Sequence, residues 1–430
     1  MNDDEIYIGR TPTGALTAGS QRSVLVLGPS RSGKTSSLVI PNILMSNRAV
    51  ITTSTKDDVL RYVATAHDNH RTLLFDPSGE IPTPLGVTRI GFSPLAVARK
   101  WDRSLLATRS LLDVRRRNLE VGDDHWSERA TALVAPLFHA AALRGDSIAT
   151  LSAQVDHREA GVALRELSER YGANHPSATM LSSILSTSER ELSSIWSTAS
   201  GLFAGLRSDA ARQASREGGL DIKEFLRGRH HLHIVSPSRH QAMAAPLIVG
   251  LIDEIVDATY RQHREVPGLL LALDELANVA PLPRLASIVS EGGGQGVLTM
   301  ACLQDLSQAR ARWPTTSDGF LSLFANTIVL PGVADRRTLE LISSLAGDET
   351  IERTSTQRNR RGRSVGSNSS WDDRPRLPLD VIARGRTGYA LGLSTRKEVE
   401  WVPLTSAYND PRFRHYLERS RSTESRERSL

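Results

Sequence analysis

Short, nearly unbroken apolar runs recur along the chain, at Ser23–Leu27, Ala49–Thr53, Thr72–Phe75, His231–Val235, Leu269–Leu273, Val297–Leu303, Thr327–Leu330 and Tyr389–Leu393. Strands buried on both faces read this way, whereas a strand with one wet face alternates. Amphipathic helical stretches separate several of the runs. The pattern therefore predicts an α/β fold with a mainly parallel sheet. Between Asp102 and about Phe225 the strand pattern stops. Leu192, Ile195, Trp196, Ala199, Leu202, Phe203 and Leu206 fall at helical spacing there, and Arg129–Leu143 and Gly161–Tyr171 also read as helices. The expected layout is a sheet unit built from residues 1–101 and 226–410, interrupted by an all-α unit at 102–225. Arg353–Arg376 and the tail 411–430 hold few apolar residues, and they are expected as a flexible basic loop and a disordered tail.

Composition narrows the class. The chain has 430 residues, beyond the ~250–300 that one hydrophobic core usually serves. With 39% hydrophobic and 23% charged residues it is neither disordered throughout nor fibrous. One cysteine, Cys302, excludes an internal disulfide and a cysteine-based zinc site. Its apolar neighbours predict a buried, inert thiol. No apolar stretch reaches the ~18–20 residues of a membrane span, and the acidic start of the chain does not read as a signal peptide, so a cytosolic protein is expected. The net charge of +5 permits a polyanionic partner without requiring one. Only five of the 53 basic residues are lysines, as arginine-favouring codons of a GC-rich genome would give. A lysine inside a motif is then harder to ascribe to chance.

Lys34 is such a lysine. Gly28-Pro29-Ser30-Arg31-Ser32-Gly33-Lys34-Thr35, followed by Ser36, comes directly after the first buried strand and matches the phosphate-binding loop G-x-x-x-x-G-K-[ST]. Gly28 and Gly33 let the backbone wrap a phosphate with its N–H groups inward, at the positive end of the next helix. Lys34 would reach the β- and γ-phosphates, and the Thr35 hydroxyl would ligate Mg²⁺. The helix expected at Ser36–Leu44 carries Pro41 a turn and a half in. A second carboxylate is needed near the metal, and the run Leu269–Leu273 ends in Asp274-Glu275. Asp274 would hold Mg²⁺ through water while Glu275 polarises the attacking water. The next run ends in Gln304, which would sense the γ-phosphate if its strand lies between the other two; it equally suits a helix start near Asp305. The 240 residues from Lys34 to Asp274 far exceed what a compact ATPase core needs, in agreement with the helical insertion.

Other features are more ambiguous. Lys56, Asp57 and Asp58 follow the second strand and would either approach the nucleotide or simply start a helix. His230, His231 and His233 invite a metal reading, but His231 and His233 share a strand face with no acidic partner. Arg353, Arg358, Arg360, Arg361 and Arg363 would touch nucleic-acid phosphates or remain solvated. Trp101, Trp126 and Trp196 read as core.

In several segments the chain resembles the type IV secretion coupling proteins, the TraG/TraD-like conjugative DNA-transfer ATPases. They are Gly28–Thr35 with Val39-Ile40-Pro41-Asn42, Thr53-Ser54-Thr55-Lys56-Asp57, Phe75-Asp76-Pro77 and Phe92-Ser93-Pro94-Leu95. Asp274–Asn278 with Pro281-Leu282, Gln304 with Gln308, and Gly332 with Asp335 complete the set. The resemblance implies a RecA-like domain binding ATP and Mg²⁺, and a ring that is usually hexameric. It also implies delivery of DNA or a relaxase–DNA complex to type IV secretion channel subunits at the inner face of the bacterial membrane. Two departures stand out. Family members generally carry N-terminal transmembrane helices, so a separate membrane anchor subunit is one expectation here. Relatives also often place an arginine in the glycine turn that is here Glu291–Gly296, leaving Arg310, Arg312, Arg336 and Arg337 as candidates for a finger reaching the neighbouring subunit. A cytosolic DNA translocase of the HerA/FtsK type and a non-hydrolysing, ATP-binding recruitment adaptor are the alternatives.

Overall fold

The computed structural model describes the whole chain except residues 1–3, 12–13, 65–69, 116–123, 217–218, 359–363, 395–398, 415 and 417–430. An antiparallel pair, β1 (Tyr7–Thr11) and β2 (Gly14–Thr17), leads into β3 (Val24–Leu27), β4 (Ala49–Ser54), β5 (Thr72–Phe75) and β6 (Val87–Arg89). After a long helical stretch come β7 (His231–Val235), β8 (Leu269–Leu273), β9 (Val297–Leu303) and β10 (Asn326–Val329). A second antiparallel pair, β11 (Asp348–Arg358) and β12 (Ser364–Pro375), precedes β13 (Tyr389–Ser394) and β14 (Val399–Pro403).

Ten of these strands form one sheet in the order β14-β13-β10-β3-β9-β8-β4-β7-β5-β6. From β10 to β6 every neighbour is parallel, and β13 alone is reversed, pairing antiparallel with β10 on one side and β14 on the other. The central strands are buried at each position, which is why the sequence shows runs and not alternation. The two faces still differ: Leu25 and Leu27 of β3 join one hydrophobic cluster, Val24 and Val26 the other.

Helices occupy the chain from Trp101–Arg115 to Ile222–Arg227, and among the described residues nothing more strand-like than an isolated bridge, Gly91 to Gly219, interrupts them. The helix Asp124–Arg144 is their centre, burying Leu133, Leu137 and Phe138 against neighbours such as Trp196. The apolar stripe around Leu192 lies on the helix Glu189–Leu202, started by a Ser188 side chain that accepts from the Glu191 N–H. The helical region has no core of its own. Phe138, Leu167, Leu181 and Trp196 belong to the same continuous cluster as Leu25, Ile51 and Leu271 of the sheet.

Two expectations change. Arg353–Arg376, expected as a flexible loop, falls largely within β11 and β12, which pair over their length. The segment holds few apolar residues, so no apolar alternation marks it in the sequence. Cross-strand contacts such as Thr350 Oγ1 to Asp373 at 2.7 Å and Arg374 to Glu349 at 2.9 Å help to hold it. Arg353 and Arg358 lie in β11, while Arg360, Arg361 and Arg363 lie outside the described residues. The expected tail starts later than predicted: 411–414 are helical and Phe413 is 2% exposed, in the core. Residues 417–430 lie outside the described set. Among the described residues no helix is long and apolar enough to cross a membrane.

Candidate nucleotide site

The tips of β3, β8 and β4 open into a cleft lined by residues 30–36, by Ser54, Thr55, Lys56 and Asp58, by Asp274 and Glu275, and by Tyr408. β9 runs between β3 and β8, so the phosphate-loop strand and the Asp274 strand are not neighbours. The loop has the geometry that its glycines imply. Gly33 has φ +96°, and a Cβ at Gly28 would sit 2.7 Å from Ser32 Oγ and 3.0 Å from Leu330 Cβ. Arg31 also adopts a left-handed backbone, φ 64°. Lys34 is buried, and its ammonium donates to the carbonyls of Gly28 at 2.5 Å and Pro29 at 3.0 Å.

The helix after the loop begins irregularly. Thr35–Val39 forms a π-helical turn, with the Ile40 N–H donating to the Thr35 carbonyl, before the α-helix Ile40–Met45. Pro41 accounts for the placement. It has no N–H for an i−4 carbonyl, and it falls in the first turn of the α-helical part, where that loss costs nothing.

Asp274 is the centre of the opposite wall. It is 5% exposed, its Oδ2 accepts from Thr35 Oγ1 at 2.5 Å, and its Oδ1 accepts from the Glu275 N–H at 3.1 Å. Thr53 Oγ1 fixes its backbone carbonyl at 2.6 Å. Burial pushes the Asp274 carboxyl above the usual carboxylate range, and the Thr35 hydroxyl and Lys34 charge pull it back. Glu275 stands in the left-handed region (φ 52°, ψ 39°), a strained conformation for a non-glycine residue, and its carboxylate accepts from Asn278 Nδ2 at 3.1 Å. The residues present fit a magnesium nucleotide. A loop that admits no Cβ at Gly28, an ammonium at its rim, and a hydroxyl–carboxylate pair across from it supply phosphate donors and two metal-side oxygens.

The expected site residues thus divide. Ser30 to Ser36, Asp274 and Glu275 meet in one cleft, with Gly28 and Pro29 behind Lys34. Gln304 is at the tip of β9, with its N–H donating to Gln308 Oε1 at 2.9 Å, and it stands outside the cleft lining. Lys56 and Asp58 form part of the wall, whereas Asp57 pairs with Arg61 at 2.7 Å at the start of the helix Asp58–Val63. His231 and His233 are buried in β7. His233 bonds Thr52 Oγ1 at 2.8 Å, and burial holds it neutral, with its pKa lowered to about 3. Of the candidate arginines, Arg310 is tied to Asp335 at 2.6 Å and Arg336 to Glu340 at 2.7 Å. Arg337 is exposed, and Arg312 is half-buried, its pKa lowered by that burial.

Sequence reasoning missed Tyr408. The segment after β14 folds back on the loop helix, with the Ala407 N–H donating to the Ser36 carbonyl at 2.8 Å, and Tyr408 meets Tyr62 edge-on at 5.0 Å. No motif surrounds it, and only the return of the chain brings it there.

Known proteins resemble this chain in sequence and fold. The TraG conjugal transfer protein of Escherichia coli is 26% identical over 398 residues, which cover 83% of this chain and 60% of TraG. The chain therefore spans about 60% of the length of the curated relatives it matches. Among solved structures, the bacterial conjugative coupling protein TrwB superposes with a TM-score of 0.66 at 18% identity, covering 91% of this chain and 87% of that one. TrwB in complex with ADP and Mg²⁺ gives a TM-score of 0.61 over 91% and 87% of the two chains, also at 18% identity. The fold is that of these RecA-like P-loop proteins. A family model described as type IV secretory system conjugative DNA transfer matches residues 1–380. The chain belongs to that family.

Proposed function

We propose that this protein is an ATP-hydrolysing motor that moves DNA, or a relaxase–DNA complex, toward a type IV secretion channel. The observation that carries the reading is the meeting of Thr35 Oγ1 and buried Asp274 Oδ2, 2.5 Å apart, across a cleft lined by the phosphate loop. In this reading the loop N–H groups and Lys34 bind the triphosphate, and Thr35 and Asp274 hold Mg²⁺, Asp274 through water. Bound Mg²⁺ supplies neutralisation of charge on the β- and γ-phosphates. Glu275 takes a proton from water at its carboxylate, with Asn278 fixing its orientation. Gln304, on the strand between β3 and β8, reports the state of the γ-phosphate to the helix that begins at Leu306.

The family and the ADP–Mg²⁺ complex of the structural relative support the choice of ligands. We assign the ring to six copies, the working position to the cytoplasmic face of the bacterial membrane, and the attachment there to a membrane-anchored partner. The sheet unit and the inserted helices would turn ATP hydrolysis into movement of the cargo.

Phosphate release by the purified chain, with and without single- and double-stranded DNA, tests the motor. DNA should stimulate turnover, and Glu275→Gln should lower it by about 10²–10⁴-fold while ATP still binds. ATP binding with no turnover under any DNA condition would overturn hydrolysis and leave the recruitment adaptor.

A further inference from the structure

A second cavity, of about 240 Å³, lies where the helix Trp101–Arg115 docks on the helix Gln241–Gln262. None of the nucleotide-cleft residues lines it. Its volume equals roughly eight waters at ~30 Å³ each. Phe92, Val97 and Leu111 give it an apolar floor, and Leu106, 54% exposed, stands at the rim. Apolar walls with a few fixed polar groups are the usual make-up of a small-molecule site.

Several charged groups of the wall pair with one another, and Arg109 and Asp113 also line it. Arg103 pairs with Glu254 and, at 2.5 Å, with Asp257; Arg284 pairs with Asp257 at 3.0 Å. Asp253 departs from this pattern. It lines the cavity, is 8% exposed, and receives the Ser110 hydroxyl on Oδ2 at 2.7 Å, but its Oδ1 has no hydrogen-bond partner among the described residues. Burial pushes its carboxyl up to about 6. A buried acceptor left unpaired is costly, and here it belongs to the wall of a space large enough for a ligand. Arg103, Arg109 and Arg284 oppose a cation in the cavity, and Asp113, Glu254 and Asp257 oppose an anion.

We propose that this cavity binds a small neutral molecule with an apolar body and one N–H or O–H donor. The donor goes to Asp253 Oδ1, and the body rests on Phe92, Val97 and Leu111. Such an occupant touches the first inserted helix and a helix that covers the sheet, and it is independent of the nucleotide reading.

The test uses the full chain and benzamide as the probe, with saturation-transfer NMR titrations. Toluene, benzoate and benzylamine are the comparators. Benzamide should bind saturably, about tenfold more tightly than each comparator, a difference of one hydrogen bond or one misplaced charge. Asp253→Ala should weaken it about tenfold, and Ala107→Phe, which fills the cavity and leaves the carboxylate intact, should abolish it. Circular dichroism checks the fold of each variant. If Asp253→Ala does not fold, Ala107→Phe and the comparator series still decide. No saturable binding to the native chain, binding unaffected by Ala107→Phe, or a comparator that equals benzamide would overturn the proposal.

Discussion

Asp274 and Asp253 are both buried carboxylates that take a hydroxyl on one oxygen, from Thr35 at 2.5 Å and from Ser110 at 2.7 Å. Burial raises both above the usual range. They differ in the second oxygen. Asp274 Oδ1 accepts the Glu275 N–H, whereas Asp253 Oδ1 accepts from none of the described residues. The backbone explains the difference. At a strand tip the chain turns away and its free N–H groups serve the carboxylate, but in the middle of the helix Gln241–Gln262 every N–H is committed to the helix. A mid-helix carboxylate must be satisfied by side chains, as Glu254 is by Arg261 of the same helix at 3.2 Å.

The largest effect expected from this contrast is in the pH dependence of stability. Asp253 moves from 3.8 to about 6 on folding. The folded state therefore binds more protons across that window, and stability falls as pH rises through it, by about 3 kcal/mol at most. The Ser110 hydroxyl and the Arg284 and Arg103 charges temper the shift, whereas the neighbouring Asp257 carboxylate adds to it. Asp253→Asn removes the ionisation, so its stability relative to the native protein should climb between pH 4 and pH 7. Paired urea unfolding curves measure this, and parallel pH profiles would show that Asp253 is not buried as drawn.

Next in size is Asp274→Asn. It should raise the Mg²⁺ concentration needed for nucleotide binding by about 10–100-fold, the usual cost of losing a carboxylate that orients a metal's ligands. Titration of Mg²⁺ against a fluorescent ATP analogue reads the change. An unaltered requirement would make Asp274 a structural carboxylate like Asp253 and erase the contrast. The smallest effect is that of Ser110→Ala, about 1 kcal/mol of destabilisation at neutral pH from loss of a single hydrogen bond. The same substitution should matter less at pH 4.5, where the Asp253 carboxyl is protonated.

The same pair shows what the sequence makes legible. Asp274 is found without coordinates, because an apolar strand ending in Asp-Glu after a phosphate loop is a local pattern with a local reason. The parallel sheet is legible likewise, since strands buried on both faces announce themselves as runs. Asp253 is not. Within Asp253-Glu254-Ile255-Val256-Asp257 it reads as the wet side of an amphipathic helix, and it is buried only because a helix whose Ser110 lies 143 residues earlier docks on it. Tyr408 is hidden for a similar reason. The β11–β12 pair escapes notice because a stretch with so few apolar residues lacks the apolar period that would reveal it. Gln304 lies between: its strand's position is legible, but its side-chain setting depends on the turn into the next helix.

The order of the sheet also dictates when it can exist. Among the described residues β3 pairs with β9 and β10, and β4 with β7 and β8. During translation both emerge long before any partner. About 180 residues separate β4 from β7, on the order of 10–40 s of synthesis at ~5–20 residues/s. For that interval β3 and β4, both buried at every position of the finished sheet, have open edges. The phosphate loop is among the first parts made, yet its cleft is completed only when Tyr408 leaves the exit tunnel. A nucleotide can therefore stabilise the finished protein but has no complete site to bind while the chain is still being made.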